Sequence, residues 1–494
     1  MKRFGTRSVL SLLASVALAG AAQSALATPA AECRVPGIRN SVLCGAVQRP
    51  LDPARPEETK IAVHYVIVPA MARRKLPDPV FILPGGPGQS AIGVAAQTIA
   101  LFSRLNNRRD IVFVDQRGTG KSAPLECADT RREPLAVQAD PQRQLRLLVE
   151  CRDALLKLPY IKAPRDLGLF TTTIAMQDLD AVRRELGAQR VNLVGVSYGT
   201  RAALEYQRQF PAAVRRSVLD AVVPPDMVLP ASFSTDAQAA LDALLAACEK
   251  EAACARDHPA LRPDWSALLQ RLPATVTAAH PLTGLPEHFT LTREMVLGAV
   301  RGALYAPAVA SALPVAIGEA ARGRYEALLG VNALLGSRKG VQLAAGMHFS
   351  VVCAEDVPRL AQAADPPGAD FGVEQAVLYQ RVCSQWPRGE VPEAFYTVAR
   401  SNSPALVFSG GLDPATPPRH GDRVAKALGP AAVHVVVPNA GHGVMAVGCA
   451  RDVIFRFIDA GSDAEAVAVD ASCVTGIPRP PAFQPISDIA RVAQ

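Results

Sequence analysis

The chain has 494 residues, 49% of them hydrophobic and 20% charged, with a formal net charge of +7. This is the balance of a globular protein with a large core, and the length predicts either two or more domains or one core carrying a large insertion. Basic residues are scattered, and runs such as Arg73-Arg74-Lys75 read as solvated loops, so no nucleic-acid partner is expected.

In chain order, Lys2, Arg3 and Arg7 form a basic start, Val9 to Leu18 an apolar middle, and Ala25-Leu26-Ala27 a small-x-small cleavage site. This reads as a secretory signal peptide over residues 1–27, with export to the periplasm or beyond. Its removal takes three positive charges and leaves +4. The apolar part falls short of the roughly 20 residues of a membrane span. No cysteine stands immediately after the cleavage site, so no lipid anchor is expected, and no later segment is long and apolar enough to predict a membrane anchor. Ten cysteines in an exported chain predict disulfides, and sequential pairing is the expectation. Cys248 and Cys254 would point apart on one continuous helix, so their pairing requires a break between them. No C-x2-C or H-x3-H cluster is present, and no metal is expected.

A loop holding Cys33 and Cys44 comes next. Strand-like runs follow at 60–70, 79–88, 110–118, 191–199 and 215–225. Apolar runs of this length without alternation suit strands buried on both faces of a parallel sheet. Residues 171–187 carry helical spacing through Ala175, Leu179, Val182 and Leu186, closed by Gly187. Alternating strands and helices predict a doubly wound, mostly parallel α/β sheet. From 226 to about 345 the texture turns Ala- and Leu-rich and reads as a helical cap insertion. Strand runs resume at 404–414 and 431–443, a helix is expected at 450–461, and the Pro-rich 477–485 reads as a surface tail. The segment 346–402 fits either cap or core. The predicted division is 28–225 for the first part of the core, 226–402 for the cap and return segment, and 403–494 for the rest of the core.

One stretch, "DIVFVDQRGTGKSAP" (110–124), imitates a nucleotide-binding loop by following a strand with Gly120-Lys121-Ser122. A Walker loop needs a glycine five positions before the second one. Asp115 stands there, and its carboxylate would repel phosphate. No nucleotide is expected.

The strongest chemical signal is Gly195-Val196-Ser197-Tyr198-Gly199, between an apolar strand and a helical pattern. In a strand–elbow–helix turn the flanking glycines make room, and the serine stands clear at the new helix's N-terminus. Ser197 is therefore the expected nucleophile. Its base and orienting acid should follow later strands. Asp413 ends "LVFSGGLD" and His442 ends "HVVVPNAGH". His420 and His434 are the rival bases, and Asp220 and Asp356 the rival acids. The loop "LPGGPGQS" supplies a second backbone donor, so the N–H groups of Gly86 and Tyr198 are expected to hold an oxyanion.

The set Gly85-Gly86-Pro87-Gly88, Asp115-Gln116-Arg117-Gly118-x-Gly120-x-Ser122, Gly195-x-Ser197-Tyr198-Gly199, Asp413 and Gly441-His442-Gly443 resembles the prolyl iminopeptidase and tripeptidyl aminopeptidase group of α/β-hydrolases. The exported, cysteine-bearing chain is most similar to the tripeptidyl aminopeptidase branch. One departure is Pro84, where the family's oxyanion loop often carries His. The resemblance implies an α/β-hydrolase fold with a helical cap, a tripeptidyl-aminopeptidase-like C-terminal segment, no cofactor, and peptide substrates cut from a free N-terminus. It also implies a carboxylate for the substrate ammonium, which the pattern around "VVCAED" assigns to Glu355. Competing readings are an esterase with the same triad, a non-catalytic binding protein on a hydrolase fold, and a nucleotide hydrolase.

Overall fold

The computed structural model describes residues 28–336 and 342–484, and the signal-like segment 1–27 lies outside them. Among the described residues eleven strands form: β1 (Thr28–Cys33), β2 (Val42–Pro50), β3 (Lys60–Val68), β4 (Val80–Leu83), β5 (Ile111–Val114), β6 (Val191–Val196), β7 (Val214–Asp220), β8 (Ala274–Ala279), β9 (Pro286–Leu291), β10 (Ala405–Gly410) and β11 (Ala432–Val437). Nine of them make one sheet in the order β1-β2-β3-β5-β4-β6-β7-β10-β11. From β5 to β11 every neighbouring pair is parallel, while β1, β2 and β3 form an antiparallel edge.

The central strands are apolar because both faces are covered. Phe81, Val112 and Val114 point into one core cluster, and Val80, Ile82, Ile111 and Phe113 into another on the opposite face. The chain steps from β4 to β5 on one side and later to β6 on the other. The carboxyl ends of β4 and β6 thus flank a reversal in strand order, the place where an open α/β sheet forms a crevice.

The cap has its own core, from Leu241 and Leu245 on the Ala231–Lys250 helix to Ile317 and Leu328. Inside it β8 and β9 form a hairpin that the sequence did not announce. "ATVTAA" and "PEHFTL" are short, half-polar segments with weak strand preference, fixed by packing rather than by propensity. The segment around Cys33 and Cys44 is likewise a strand pair rather than a loop.

All five disulfides join sequential cysteines: 33–44, 127–151, 248–254, 353–383 and 449–473. The helix carrying Cys248 ends at Lys250, Glu251 is extended, and a second helix begins at Ala252. That break lets two cysteines six residues apart face each other. The return segment joins the core: Met347, Phe349, Val351, Val352, Val382 and Trp386 pack in the cluster that contains the sheet. The tail is tied down at both ends. Asn439 donates to the Ile477 carbonyl in the core, and the Phe483 N–H donates to Ser311 in the cap.

Candidate active site

β6 runs straight into the Tyr198–Gln209 helix, and Ser197 takes the turn between them at φ 54°, ψ −126°. Few residues with a Cβ hold positive φ, and here the neighbours enforce it. A Cβ on Gly195 would lie 2.7 Å from the Gly199 carbonyl carbon, and one on Gly199 would strike the backbone of Leu83. Both glycines are steric requirements of the elbow. The Ser197 N–H donates to the Asp220 carbonyl at 2.9 Å, which fastens the elbow to the end of β7.

The loop after β4 lies against this turn. A Cβ on Gly85 would sit 3.2 Å from that of Ser197, and Gly86 has φ +121°, a glycine conformation. Tyr198 is the first residue of its helix, so its N–H has no partner within the helix. The expected oxyanion donors, Gly86 and Tyr198, therefore flank Ser197 at the carboxyl ends of β4 and β6.

Asp413 follows β10 and is buried. It accepts from the N–H groups of Ala415 (2.8 Å) and Thr416 (2.9 Å) and from the Thr416 hydroxyl (2.7 Å). His442 Nδ1 lies 3.0 and 2.9 Å from its two oxygens. Burial alone would raise the Asp413 carboxyl, but the His442 imidazole and the two N–H donors outweigh it and hold it below the usual range. Burial likewise lowers the affinity of His442 for a proton, and the Asp413 charge and hydrogen bond overcome it, for a net rise. The pair has the arrangement that a base oriented by an ionised acid requires.

Asp220 was a rival acid, and its place is instructive. Its carboxylate takes the N–H groups of Val444 and Met445, all at 2.9 Å, immediately after the histidine loop. Its carbonyl takes the Ser197 N–H. One residue thus ties the Ser197 turn to the histidine loop, and burial pushes its carboxyl up to about 6 despite those donors. The other rivals are occupied elsewhere. His420 meets Asp236 at 2.9 Å, and His434 lies between Asp422 and Ser409. Asp356 receives two bonds from Arg201 at 3.0 Å.

Glu355 departs from its expected setting. It is completely buried at the end of the Ala345–Glu355 helix, accepting from the Thr172 N–H (2.7 Å) and hydroxyl (3.0 Å), with Arg201 at 3.6 Å. No carboxylate oxygen is open to a ligand's ammonium. Thr172 in turn meets the Tyr198 hydroxyl at 2.6 Å, so Glu355 stands directly behind the residue after Ser197. Burial raises its carboxyl to about 7, against the pull of Arg201.

The "DQRGTGKS" loop is built around its acid. Asp115 accepts from Ser90 Oγ (2.6 Å) and from the N–H groups of Ile92 (3.0 Å) and Lys121 (3.2 Å). Arg117 does not pair with it. Its fork grips Asp178 at 2.7 and 3.0 Å and donates to the Leu51 and Leu169 carbonyls. Lys121 is exposed. The cap reaches the site through Tyr305, whose carbonyl accepts the His442 N–H at 2.9 Å and whose ring meets the imidazole edge-on at 4.8 Å. Tyr305 and Thr172 carry no sequence signal, because each is brought in from a distant segment by the fold, whereas Thr416 belongs to the turn of Asp413 itself.

Two family profiles match: one described as "alpha/beta hydrolase fold" over residues 78–305, the other as "TAP-like protein" over 369–473. The chain is 32% identical over 197 residues to a tripeptidyl aminopeptidase of Streptomyces lividans, covering 37% of this chain and 36% of that protein. It is 29% identical over 209 residues to serine protease Hip1 of Mycobacterium tuberculosis, covering 40% and 38%. A putative hydrolase, YuaR, of Escherichia coli is 30% identical over 157 residues, covering 32% and 30%. The alignments thus span about a third of the length of these relatives. An α/β-hydrolase from a Medee basin deep-sea metagenome covers 78% of this chain and 89% of its own at 15% identity and a TM-score of 0.34, too loose a likeness to carry weight. The two profiles cover strands β4 to β7 and β10 to β11, and together with the strand order of the sheet they give the chain an α/β-hydrolase fold whose segment 369–473 is similar to TAP-like proteins.

Proposed function

We propose that this protein is an exported serine exopeptidase that cleaves peptides near a free N-terminus through an acyl-enzyme on Ser197. The observation that carries this reading is the strained Ser197 elbow, joined through Asp220 to the loop of a histidine already paired with buried Asp413.

His442 Nε2 takes the Ser197 proton as Oγ attacks the scissile carbonyl. The N–H groups of Gly86 and Tyr198 hold the developing oxyanion, and the imidazolium returns its proton to the leaving amine. Water then repeats the cycle on the ester. Every step uses side chains and backbone of this chain, so the reading includes no cofactor, metal or nucleotide. The Asp115 carboxylate, which occupies the amides of its own loop, supports leaving nucleotide out. The five disulfides and the signal-like start support export. Among the described residues no helix is long and apolar enough to cross a membrane. The division at 28–225, 226–402 and 403–494 stands as part of the proposal, with the return segment lying on the core.

Glu355 and Asp356 share one guanidinium, that of Arg201, so the cluster is net negative whenever both are ionised. In this reading Glu355 favours a substrate ammonium through the field it projects past Thr172 and Tyr198. Tripeptidyl, aminoacyl and prolyl anilides with free and with acetylated N-termini, alongside short p-nitrophenyl esters, test the proposal. Cleavage of free peptides and at least tenfold less of acetylated ones is the expected result, with Glu355→Gln raising KM for free peptides by about tenfold. Ester turnover without any peptide cleavage would replace the peptidase by an esterase.

A further inference from the structure

Arg301 lies on the cap helix Arg293–Leu304. The buried guanidiniums of Arg117 and Arg201 meet carboxylates. That of Arg301 has neutral partners: the Tyr305 hydroxyl at 3.1 Å, Gln375 Oε1 at 3.3 Å, and the Phe233 ring, whose centroid lies 4.1 Å away. Its Nε is buried without a partner, and no carboxylate among the described residues forms an ion pair with the group. The side chain also borders a cavity of about 70 Å³ with Phe233, Ser234, Phe371 and Gln375. Asp365 lines the same cavity but is held by Arg419 at 2.7 Å.

The position is as telling as the lack of an acid. Tyr305, to which Arg301 donates, is the residue that packs edge-on against His442. The charge of Arg301 is also felt at the Tyr379 hydroxyl, which holds His348 Nε2 at 2.8 Å. The helix bearing His348 is docked on the oxyanion loop by the Ala344 N–H, which donates to Gly88. Arg301 therefore stands between the histidine side and the oxyanion side of the cleft. A fixed cation there opposes the imidazolium that forms when His442 accepts a proton, and a substrate anion beside it would remove that opposition.

We propose that Arg301 is a specificity residue that binds a carboxylate of the peptide in the cleft. The carboxylate is either an acidic side chain or the free C-terminus of a short chain. The inference rests on the peptidase reading and adds a substrate class to it: short or acidic peptides. A guanidinium half-enclosed by tyrosine, glutamine and an aromatic face suits a planar carboxylate, which it can meet with two parallel N–H donors.

The test compares matched free-amine peptides. Ala-Ala-Ala-Ala as acid and as amide isolates the C-terminus, and Ala-Ala-Glu-Ala-amide against Ala-Ala-Gln-Ala-amide isolates the side chain. The wild type is expected to favour the carboxylate member of one pair by about tenfold in kcat/KM. That ratio should fall to near one in Arg301→Met and be partly kept in Arg301→Lys, which preserves the cation. An equal ratio in wild type and Arg301→Met, or no preference in either pair, overturns the proposal. The same peptides are used to protect Ser197 from a fluorophosphonate, which needs only a reactive serine. A protein that is labelled yet cleaves no peptide defeats the peptidase reading, while carboxylate-dependent protection still decides the role of Arg301.

Discussion

Ser197→Ala is expected to lower kcat for a tripeptidyl anilide by about 10⁴-fold or more, and Asp413→Asn by on the order of 10³–10⁴-fold with KM little changed. The second substitution is the more informative. Asp413 accepts four hydrogen bonds in the folded protein, one of them from the His442 imidazole. An asparagine of the same shape keeps the packing but puts an NH₂ or a neutral carbonyl against Nδ1. The imidazole loses the charge that holds its proton affinity up, and with it the preference for Nε2 as the free base. Stopped-time assays on variants whose melting curve and circular dichroism match wild type give the answer. An Asp413→Asn enzyme retaining more than a tenth of wild-type kcat would move the acid's role to Asp220. That residue lies within electrostatic reach of the same imidazole.

Arg201→Met is expected to destabilise the fold by about 3–5 kcal/mol, because it strands buried carboxylates that share its guanidinium. Arg201 is fully enclosed, meets Asp356 at 3.0 Å and Glu355 at 3.6 Å, and donates to the Met227 carbonyl at 2.8 Å. Without it both acids would have to bind protons to stay inside. A buried acid whose folded pKa is raised gives stability below its unfolded pKa and loses it as pH climbs through the folded value. In wild type Glu355 is already raised to about 7, so its contribution declines between about pH 4.5 and 7. The deficit of the variant should accordingly widen with rising pH. Urea midpoints across pH 5 to 8 measure it, and Arg201→Met/Asp356→Asn should recover part of the loss. A midpoint within about 0.5 kcal/mol of wild type at pH 8 would mean that the cluster is hydrated or already neutral.

The strands of the sheet interior were legible because burial on both faces writes itself as unbroken apolar runs, as in "IVFV" and "VFIL". The elbow was legible because its sterics demand glycines at 195 and 199. Asp413 and His442 could be read from their places after late strands. β1, β2 and the cap hairpin could not, since these short strands mix small, polar and proline residues and carry little pattern of their own. Glu355 shows the other limit. The sequence located an acid near the cleft, yet only three-dimensional packing reveals Thr172 and Arg201 closing over its oxygens. Asp220 and Tyr305 meet the histidine loop from segments far away in the chain, and no local spacing could mark those contacts.

The most direct measurement of the central claim is covalent. Purified protein is treated with a fluorophosphonate while residual tripeptidyl-anilide cleavage is followed and the adduct is mapped by mass spectrometry. The expected result is a single adduct on the peptide containing Ser197, formed in step with loss of cleavage and absent from Ser197→Ala. Cleavage that persists after Ser197 is fully modified, or that survives undiminished in Ser197→Ala, would contradict a serine mechanism at this elbow.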